Sequence, residues 1–507
     1  MKNKKYLTKY ISIALISAGI MGFVSCSDSN LEDVQNLGAF DTNNYYKTEA
    51  ECFSGVVATY DVMRKYAGGF ENMVTFFNAA SDDFYSGGGS SSDGAGIQGF
   101  SNYTINSTIM PGSYWNDFYQ GIARANIIIQ KVPDANISED IKKRFIAESK
   151  VLRSLYYFEL LRMFKNIPLI LEPVKASDDY YHIPQAAPEA VYEQIEQDIL
   201  SSIDALPMTV SGVDRGRMTQ GSARAILGKI YLYDNKMNLA AEQLSQVNGT
   251  PGQVSQYGYK LVANYADLWK VDNKFTTEAI VEVMHTNESL NDWGFWGSGR
   301  DEGNSVCIMT GLRSYNKIAD DAPAMFSGWA FNPMTEDLFN AFQNDPRANS
   351  TVFNAKQLVQ DSLITYTPAY KDTGYFLKKY LPYTADISTL PGPTELNFRQ
   401  NYILIRLADS YLMEAEALGG TGARAQALLD AVRSRVGLPS VPVSMQAIKD
   451  ERRKELAGEG HRWFDLVRWG DAPAKLGPRG FTAGKNEILP IPINELANTS
   501  IKQNPNY

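Results

Sequence analysis

Thr219-Gln-Gly-Ser-Ala-Arg-Ala-Ile-Leu-Gly-Lys-Ile-Tyr-Leu-Tyr-Asp-Asn-Lys-Met-Asn-Leu-Ala-Ala-Glu-Gln-Leu-Ser-Gln-Val247 is the stretch that decides the fold. Apolar residues return every three to four positions, which gathers them on one face of a helix. Leu227-Gly228, Tyr231, Ala240, Leu244 and Val247 carry the pattern. Small residues among them let two antiparallel helices approach closely.

These are the spacings of a tetratricopeptide repeat. A second pair supports the reading. Leu404, Leu407, Ala408, Tyr411, Leu412, Ala415 and Leu418 form one apolar stripe. Gly419-Gly420 ends that helix, and Ala423 to Val436 begins the return. Helical periodicity also covers Tyr45 to Tyr66, Tyr114 to Val132, Glu139 to Phe164 and Pro188 to Leu206, the last with proline in its first turn and Pro207 just beyond its end. The expected fold is mostly α, a scaffold of stacked helix pairs that bury their core between neighbours.

Between Pro251 and Asn397 the helical rhythm breaks into Gly, Asn, Tyr, Trp and short strand-like runs such as Ala279-Ile-Val-Glu-Val-Met-His285. A rigid scaffold commonly presents recognition residues on such loops. Ser81 to Tyr103 contains Gly87-Gly-Gly-Ser-Ser-Ser-Asp-Gly-Ala-Gly96, a composition expected to leave it a mobile surface loop. No Pro-rich or charged linker divides the chain. The sequence therefore predicts a single body over residues 42–507, with helical scaffold at 42–250 and 398–470, a loop-rich, partly β ligand-binding insertion at 251–397 and a C-terminal segment at 471–507.

Ahead of that body, Met1-Lys-Asn-Lys-Lys5 is cationic and Tyr10 to Val24 is weakly polar and apolar. The apolar run is about five residues short of the ~20 that span a bilayer, so it reads as a signal peptide over residues 1–25. Phe23-Val24-Ser25-Cys26 looks like a bacterial lipobox with Phe in place of the usual Leu, which makes Cys26 the expected lipid attachment site. Residues 26–41 then form a flexible tether. Each buried lipid CH₂ contributes roughly 0.8 kcal/mol, so two or three acyl chains hold firmly. The chain carries a net charge of −9, and the leader takes lysines and no acids with it. Nucleic acid is therefore a poor partner, since no basic field exists to displace its counterions. Beyond Cys26 only Cys52 and Cys307 remain, and one disulfide or none is compatible with the sequence.

The C-terminal third carries a set of ordered motifs: Arg399 to Ala417, Val432-Arg-Ser-Arg-Val-Gly-Leu-Pro439, Ile448-Lys-Asp-Glu-Arg-Arg-Lys-Glu-Leu-Ala-Gly-Glu-Gly-His-Arg-Trp-Phe-Asp-Leu-Val-Arg-Trp-Gly470, Leu489-Pro-Ile-Pro492 and Gln503-Asn-Pro-Asn-Tyr507. In order and spacing these resemble the SusD/RagB family of cell-surface nutrient-binding lipoproteins of Bacteroidetes. Tyr114-Trp115 to Ala125-Asn126, Phe342 to Asp345-Pro346-Arg347, and Ser27-Asp28 after the lipid cysteine agree. The resemblance implies a SusD-like body anchored by lipid on the outer-membrane surface. It further implies a SusC-like TonB-dependent transporter as partner, with the ligand trapped at their junction.

Catalysis finds little support. The three histidines, His182, His285 and His461, are far apart in sequence, and neither His-Glu-x-x-His nor Gly-x-Ser-x-Gly occurs. Gly480-Phe-Thr-Ala-Gly-Lys-Asn486 is one residue short of a P-loop. Adjacent acids at Asp82-Asp83, Asp178-Asp179 and Asp320-Asp321 resemble a glycosidase pair only in residue type. Within Glu451-Arg-Arg-Lys-Glu455, side chains three and four apart share a face and are expected to pair. Glu459, His461 and Asp465 read as a satisfied polar network, not a catalytic cluster. The chain is read as no enzyme, using no cofactor and no metal.

A sugar ring offers a C–H face edged by hydroxyls, which an aromatic ring flanked by planar polar groups recognises. Asn291-Asp-Trp-Gly-Phe-Trp-Gly-Ser-Gly-Arg300 supplies that combination. The ligand-binding candidates are Trp293, Trp296, Asn291, Asp292 and Arg300, joined by Tyr85, Tyr315 and Trp329. A tryptophan in such a stretch can equally plug the core, as Trp115 and Trp463 are expected to do. The expected function is capture of oligo- or polysaccharides and their delivery to the transporter. Two other readings stay open: a RagB-like peptide-binding lipoprotein, whose site is a longer groove offering backbone hydrogen bonds, and a structural lid that touches no nutrient.

Overall fold

The computed structural model describes residues 45–174, 179–288, 293–294 and 302–507. Cys26 and the leader therefore lie outside the described residues. Helix accounts for 49% of the chain and strand for 8%, so the mostly α class holds. Lys47–Tyr507 forms one unit.

The helix pair that opened the sequence reading is present as Gln220–Tyr233 and Met237–Asn248. Thr219 caps the first, its side chain accepting from Ser222 N. A Cβ on Gly228 would meet Leu244 Cγ at 2.6 Å, so glycine is what lets the helices touch. The second pair is Leu407–Ala417 and Gly422–Arg435. Gly419 and Gly420 sit at φ 72° and 65° in the turn, a conformation that favours glycine. Asn248 joins the two pairs, donating to Ser410 O at 3.1 Å and Glu414 Oε2 at 2.7 Å.

Upstream, Ser113–Lys131 packs on Glu139–Phe164, and Pro188–Leu200 lies against the latter. Buried Arg153 reaches Asp198 at 2.7 Å to tie that third helix down. The predicted run from Tyr45 to Tyr66 divides into the helix Glu49–Tyr60 and a tighter turn at Asp61–Tyr66, and the run to Leu206 stops as α-helix at Leu200. At the C-terminus, Asn504 donates to Phe164 O at 2.9 Å and Leu489 O at 2.7 Å, which fastens the Gln503-Asn-Pro-Asn-Tyr507 tail to the scaffold.

In the loop-rich region, Ala279–Val283 pairs antiparallel with Tyr402–Arg406, Arg313–Lys317 with Ile364–Thr367, and Val352–Asn354 with Tyr375–Leu377. A separate small core holds the last two ribbons, built from Leu312, Tyr315, Met325, Phe353, Ile364 and Phe376. Cys52 and Cys307 are both buried free thiols and do not pair with each other. Among the described residues no helix is long and apolar enough to cross a membrane.

The glycine-rich stretch differs from its expectation. Phe84, Ile97 and Phe100 are buried, and Ala95–Asn102 is a helix. Gln98 is the organiser: its amide donates to Gly87 O at 3.0 Å, Asp93 O at 3.2 Å and Ser90 O at 3.3 Å, while its oxygen accepts from Ser86 Oγ at 2.6 Å. One buried amide thus satisfies carbonyls that average composition leaves unaccounted for. Gly89, Ser90, Ser91, Ser92 and Ala95 are the exposed part.

The acidic and basic family motifs are interior. Arg347 reaches Asp345 at 2.7 Å, Glu451 at 2.6 Å and Glu455 at 2.8 Å, its side chain fully buried. Arg406 contacts Glu278 at 3.0 Å, Glu455 at 2.5 Å and Glu459 at 2.9 Å. Arg452 bridges Asp409 at 2.7 Å and Asp465 at 3.0 Å. The charges of Glu451–Glu455 therefore pair across elements instead of along their own helix. Asp82 and Asp83 are likewise engaged, by Arg462 and Arg453.

Burial pushes both His285 and His461 down to about 4. Between about pH 6.5 and 4 the unfolded chain takes up these protons and the folded chain does not. Stability is thus intact above pH 6.5 and lost as pH falls through that window. At pH 5.5 the expected loss is about 1 to 2 kcal/mol per histidine, visible as a lower thermal midpoint at pH 5.5 than at pH 7.5. An unchanged midpoint would show that both rings protonate freely in the fold.

Candidate functional site

Gly328 to Phe331 is a strip clamped on two sides. On one side Gly328 N donates to Leu312 O at 2.8 Å, Trp329 N to Ile308 O at 2.9 Å and Phe331 N to Met309 O at 2.7 Å. On the other, Gly88 N donates to Ala330 O at 2.9 Å, and Asn332 N to Ser86 O at 3.0 Å. Gly87 stands at φ 72°, and a Cβ there would lie 2.3 Å from Ala330 O. The glycines of the predicted loop are what let its backbone lie against the strip that carries Trp329.

Trp329 is half-buried and stacks on Trp293, with centroids 6.0 Å apart and an interplanar angle of 24°. Trp293 remains 50% exposed. Such exposure is unusual for a tryptophan, which is highly buried on average. The paired indoles form an aromatic platform held from below by the clamped strip.

Arg313 is the polar residue paired with the strip. Its backbone bridges Gly328, next to Trp329. Its guanidinium lies 3.7 Å from Asp93 and packs where a Cβ on Gly89 would sit, 3.1 Å away. Asp93 Oδ2 in turn accepts from Gly89 N at 2.7 Å. Both side chains are about two-fifths exposed, so they retain capacity to bond a ligand hydroxyl. Sequence reading did not single out Arg313 or Asp93, because no local pattern marks an arginine in one ribbon and an acid in a distant loop as neighbours.

The remaining candidates fall elsewhere. Tyr315 is buried under the ribbon, its hydroxyl donating to Pro323 O. Tyr85 stands in a separate basin, with Lys371 5.4 Å and Arg479 4.7 Å from its ring centre, so cations already occupy its surroundings. Asn291, Asp292, Trp296 and Arg300 lie outside the described residues. Trp115 and Trp463 are core residues, as expected. Glu459 pairs with Lys379 and Arg406, and Asp465 with Arg452 and Arg468. Among the described residues no group of His, Cys, Asp and Glu is arranged to hold a metal.

Comparison with known proteins bears on this geometry. A family described as the SusD family matches residues 277–480, and one described as starch-binding, associating with outer membrane, matches residues 51–232. A solved structure titled laminarin binding SusD-like protein is 60% identical, covers 91% of this chain and all of its own, and superimposes with a TM-score of 0.90. The chain belongs to the SusD family. Surface glycan-binding protein A from Bacteroides thetaiotaomicron is 25% identical over 91% of this chain and all of its own, with a TM-score of 0.81. SusD-like protein P25 of Formosa agariphila is 26% identical, covering 94% of each chain. In this SusD-like chain, the 51–232 match falls on helical scaffold, and the 277–480 match takes in the loop-rich part with Trp293 and Trp329 as well as the C-terminal helices.

Proposed function

We propose that this SusD-like protein captures a laminarin-type β-1,3-glucan at the cell surface, with the Trp293–Trp329 platform stacking on sugar rings and Arg313 and Asp93 bonding their hydroxyls. The stacked, half-exposed indole pair carries the reading. An aromatic face beside planar polar groups matches the C–H face and hydroxyl rim of a pyranose. The 60% identity to a laminarin binding SusD-like protein supports laminarin over other glycans.

Capture is the first of two steps in this reading. Cys26 is the lipid attachment point, residues 26–41 are the tether, and a SusC-like TonB-dependent transporter in the outer membrane receives the glycan. The lipobox-like Phe23 to Cys26 and the outer-membrane association described for the family support it. Binding alone serves this role, with no covalent change to the glycan.

Isothermal titration of the soluble protein from Ser27 against a polysaccharide panel tests the ligand class. Laminarin is expected to bind and a β-1,4-glucan to bind at least about 10-fold more weakly, a difference of roughly 1.4 kcal/mol. Equal affinity for the two, or binding to peptide digests and to no glycan, contradicts the reading.

A further inference from the structure

A groove of about 950 Å³ opens in the loop-rich region. Ala324 lines it, Met325 bridges to Tyr383 in its wall, and the same chain runs on to the Trp329 platform. Trp269 forms part of its floor, fixed edge-on by Tyr265 and Tyr380 and by the Lys379 ammonium 4.5 Å from the indole.

The groove's acids are already neutralised. Asp272 pairs with Arg399 at 2.7 Å, Asp386 with Arg399 at 3.4 Å, and Asp267 with Lys270 at 2.7 Å. Three other polar ends are not engaged: the Tyr383 hydroxyl, the Asn349 amide and the Lys378 ammonium make no hydrogen bond or ion pair among the described residues. Asn349 is exposed and Lys378 and Tyr383 are half-buried, so a ligand entering the groove can reach all three without breaking a bond within the fold. Their mixture of hydroxyl, amide and ammonium around aromatic rings suits a hydroxyl-rich, neutral molecule. An apolar ligand would strand all three polar ends.

We propose that this groove is a second saccharide subsite, which engages the same glucan chain beyond the units held by Trp293 and Trp329. The proposal rests on the glucan-capture reading for the identity of its ligand. A short oligosaccharide fills the platform alone, whereas a long chain reaches both places. The second contact is then intramolecular and adds affinity by effective concentration. Long chains are thereby favoured over the short products that a cell-surface hydrolase would leave.

The test is a titration series with laminaritriose and laminarin on the parent protein, a groove variant (Asn349→Ala, Lys378→Met, Tyr383→Phe) and a platform variant (Trp293→Ala, Trp329→Ala). The three groove groups support no other residue, so the thermal midpoint of the groove variant should match the parent. The groove variant is expected to bind laminaritriose as the parent does and laminarin about 10-fold more weakly. Laminarin binding unchanged in the groove variant overturns the subsite. Laminarin binding lost in the groove variant but kept in the platform variant leaves the groove standing and removes the platform from the reading above. Equal loss of trisaccharide and polymer in the groove variant overturns the division into two subsites.

Discussion

Replacing Trp293 and Trp329 together by alanine is expected to weaken laminarin binding by at least about 100-fold while leaving the fold intact. Truncating one well-placed tryptophan in a binding surface commonly costs about 2 kcal/mol or more, roughly 30-fold in affinity. The pair acts as one platform, so the two losses are not additive, and each single variant should show most of the effect. Trp293 is half exposed, and Trp329 packs against the main core. Stability should fall by no more than a core-edge truncation costs, about 1 to 3 kcal/mol. Calorimetry on all three variants, with thermal midpoints measured beside it, separates the cases. A double variant that binds laminarin within about threefold of the parent would remove the platform from the site.

Arg406→Met is expected to do the reverse. The guanidinium touches Glu278, Glu455 and Glu459, all buried, and also donates to Glu455 O at 2.7 Å. Burial raises the cost of ionising Glu455, yet Arg435, Arg406 and Arg347 together hold its carboxyl well below the usual range. Removing one of these cations leaves buried carboxylates short of charge and hydrogen bonds, a change that costs about 3–5 kcal/mol. The urea midpoint should drop accordingly, with laminarin affinity of the remaining folded protein unchanged. Arg313, whose pair with Asp93 is exposed, contributes below about 1 kcal/mol to stability by the same physics. A stability loss under 1 kcal/mol for Arg406→Met would show that neighbouring arginines compensate fully.

The scaffold was legible because its determinants are local. Leu227-Gly228, Leu244 and Val247 sit at fixed spacings, and the close approach they imply appears as the contact between Gly228 and Leu244. The long helix Glu139–Phe164 follows from its own periodicity and its Ser138 cap. The glycine-rich stretch was not legible in the same way. Composition averages its glycines and serines and hides Gln98, whose several hydrogen bonds order the loop. Charge pairing also escaped, since Glu451 and Glu455 find arginines from distant segments and not from their own helix.

For the site, residue type was readable and partnership was not. Trp293 stands out as a tryptophan among glycines and Trp329 is a candidate by residue type alone, but their stacking depends on the strip clamped between the turn near Gly311 and the loop at Gly87. Arg313 and Asp93 lie more than two hundred residues apart and meet only through that arrangement. Tyr315 shows the opposite error: its ring suits a sugar face, and the ribbon buries it in a satellite core.

A crystal structure of the protein with laminarihexaose tests the central claim most directly. The account predicts a glucose ring lying over the Trp293 and Trp329 indoles, with Arg313 or Asp93 within hydrogen-bond distance of its hydroxyls. A hexasaccharide seated elsewhere, with both indoles still facing solvent, would contradict it.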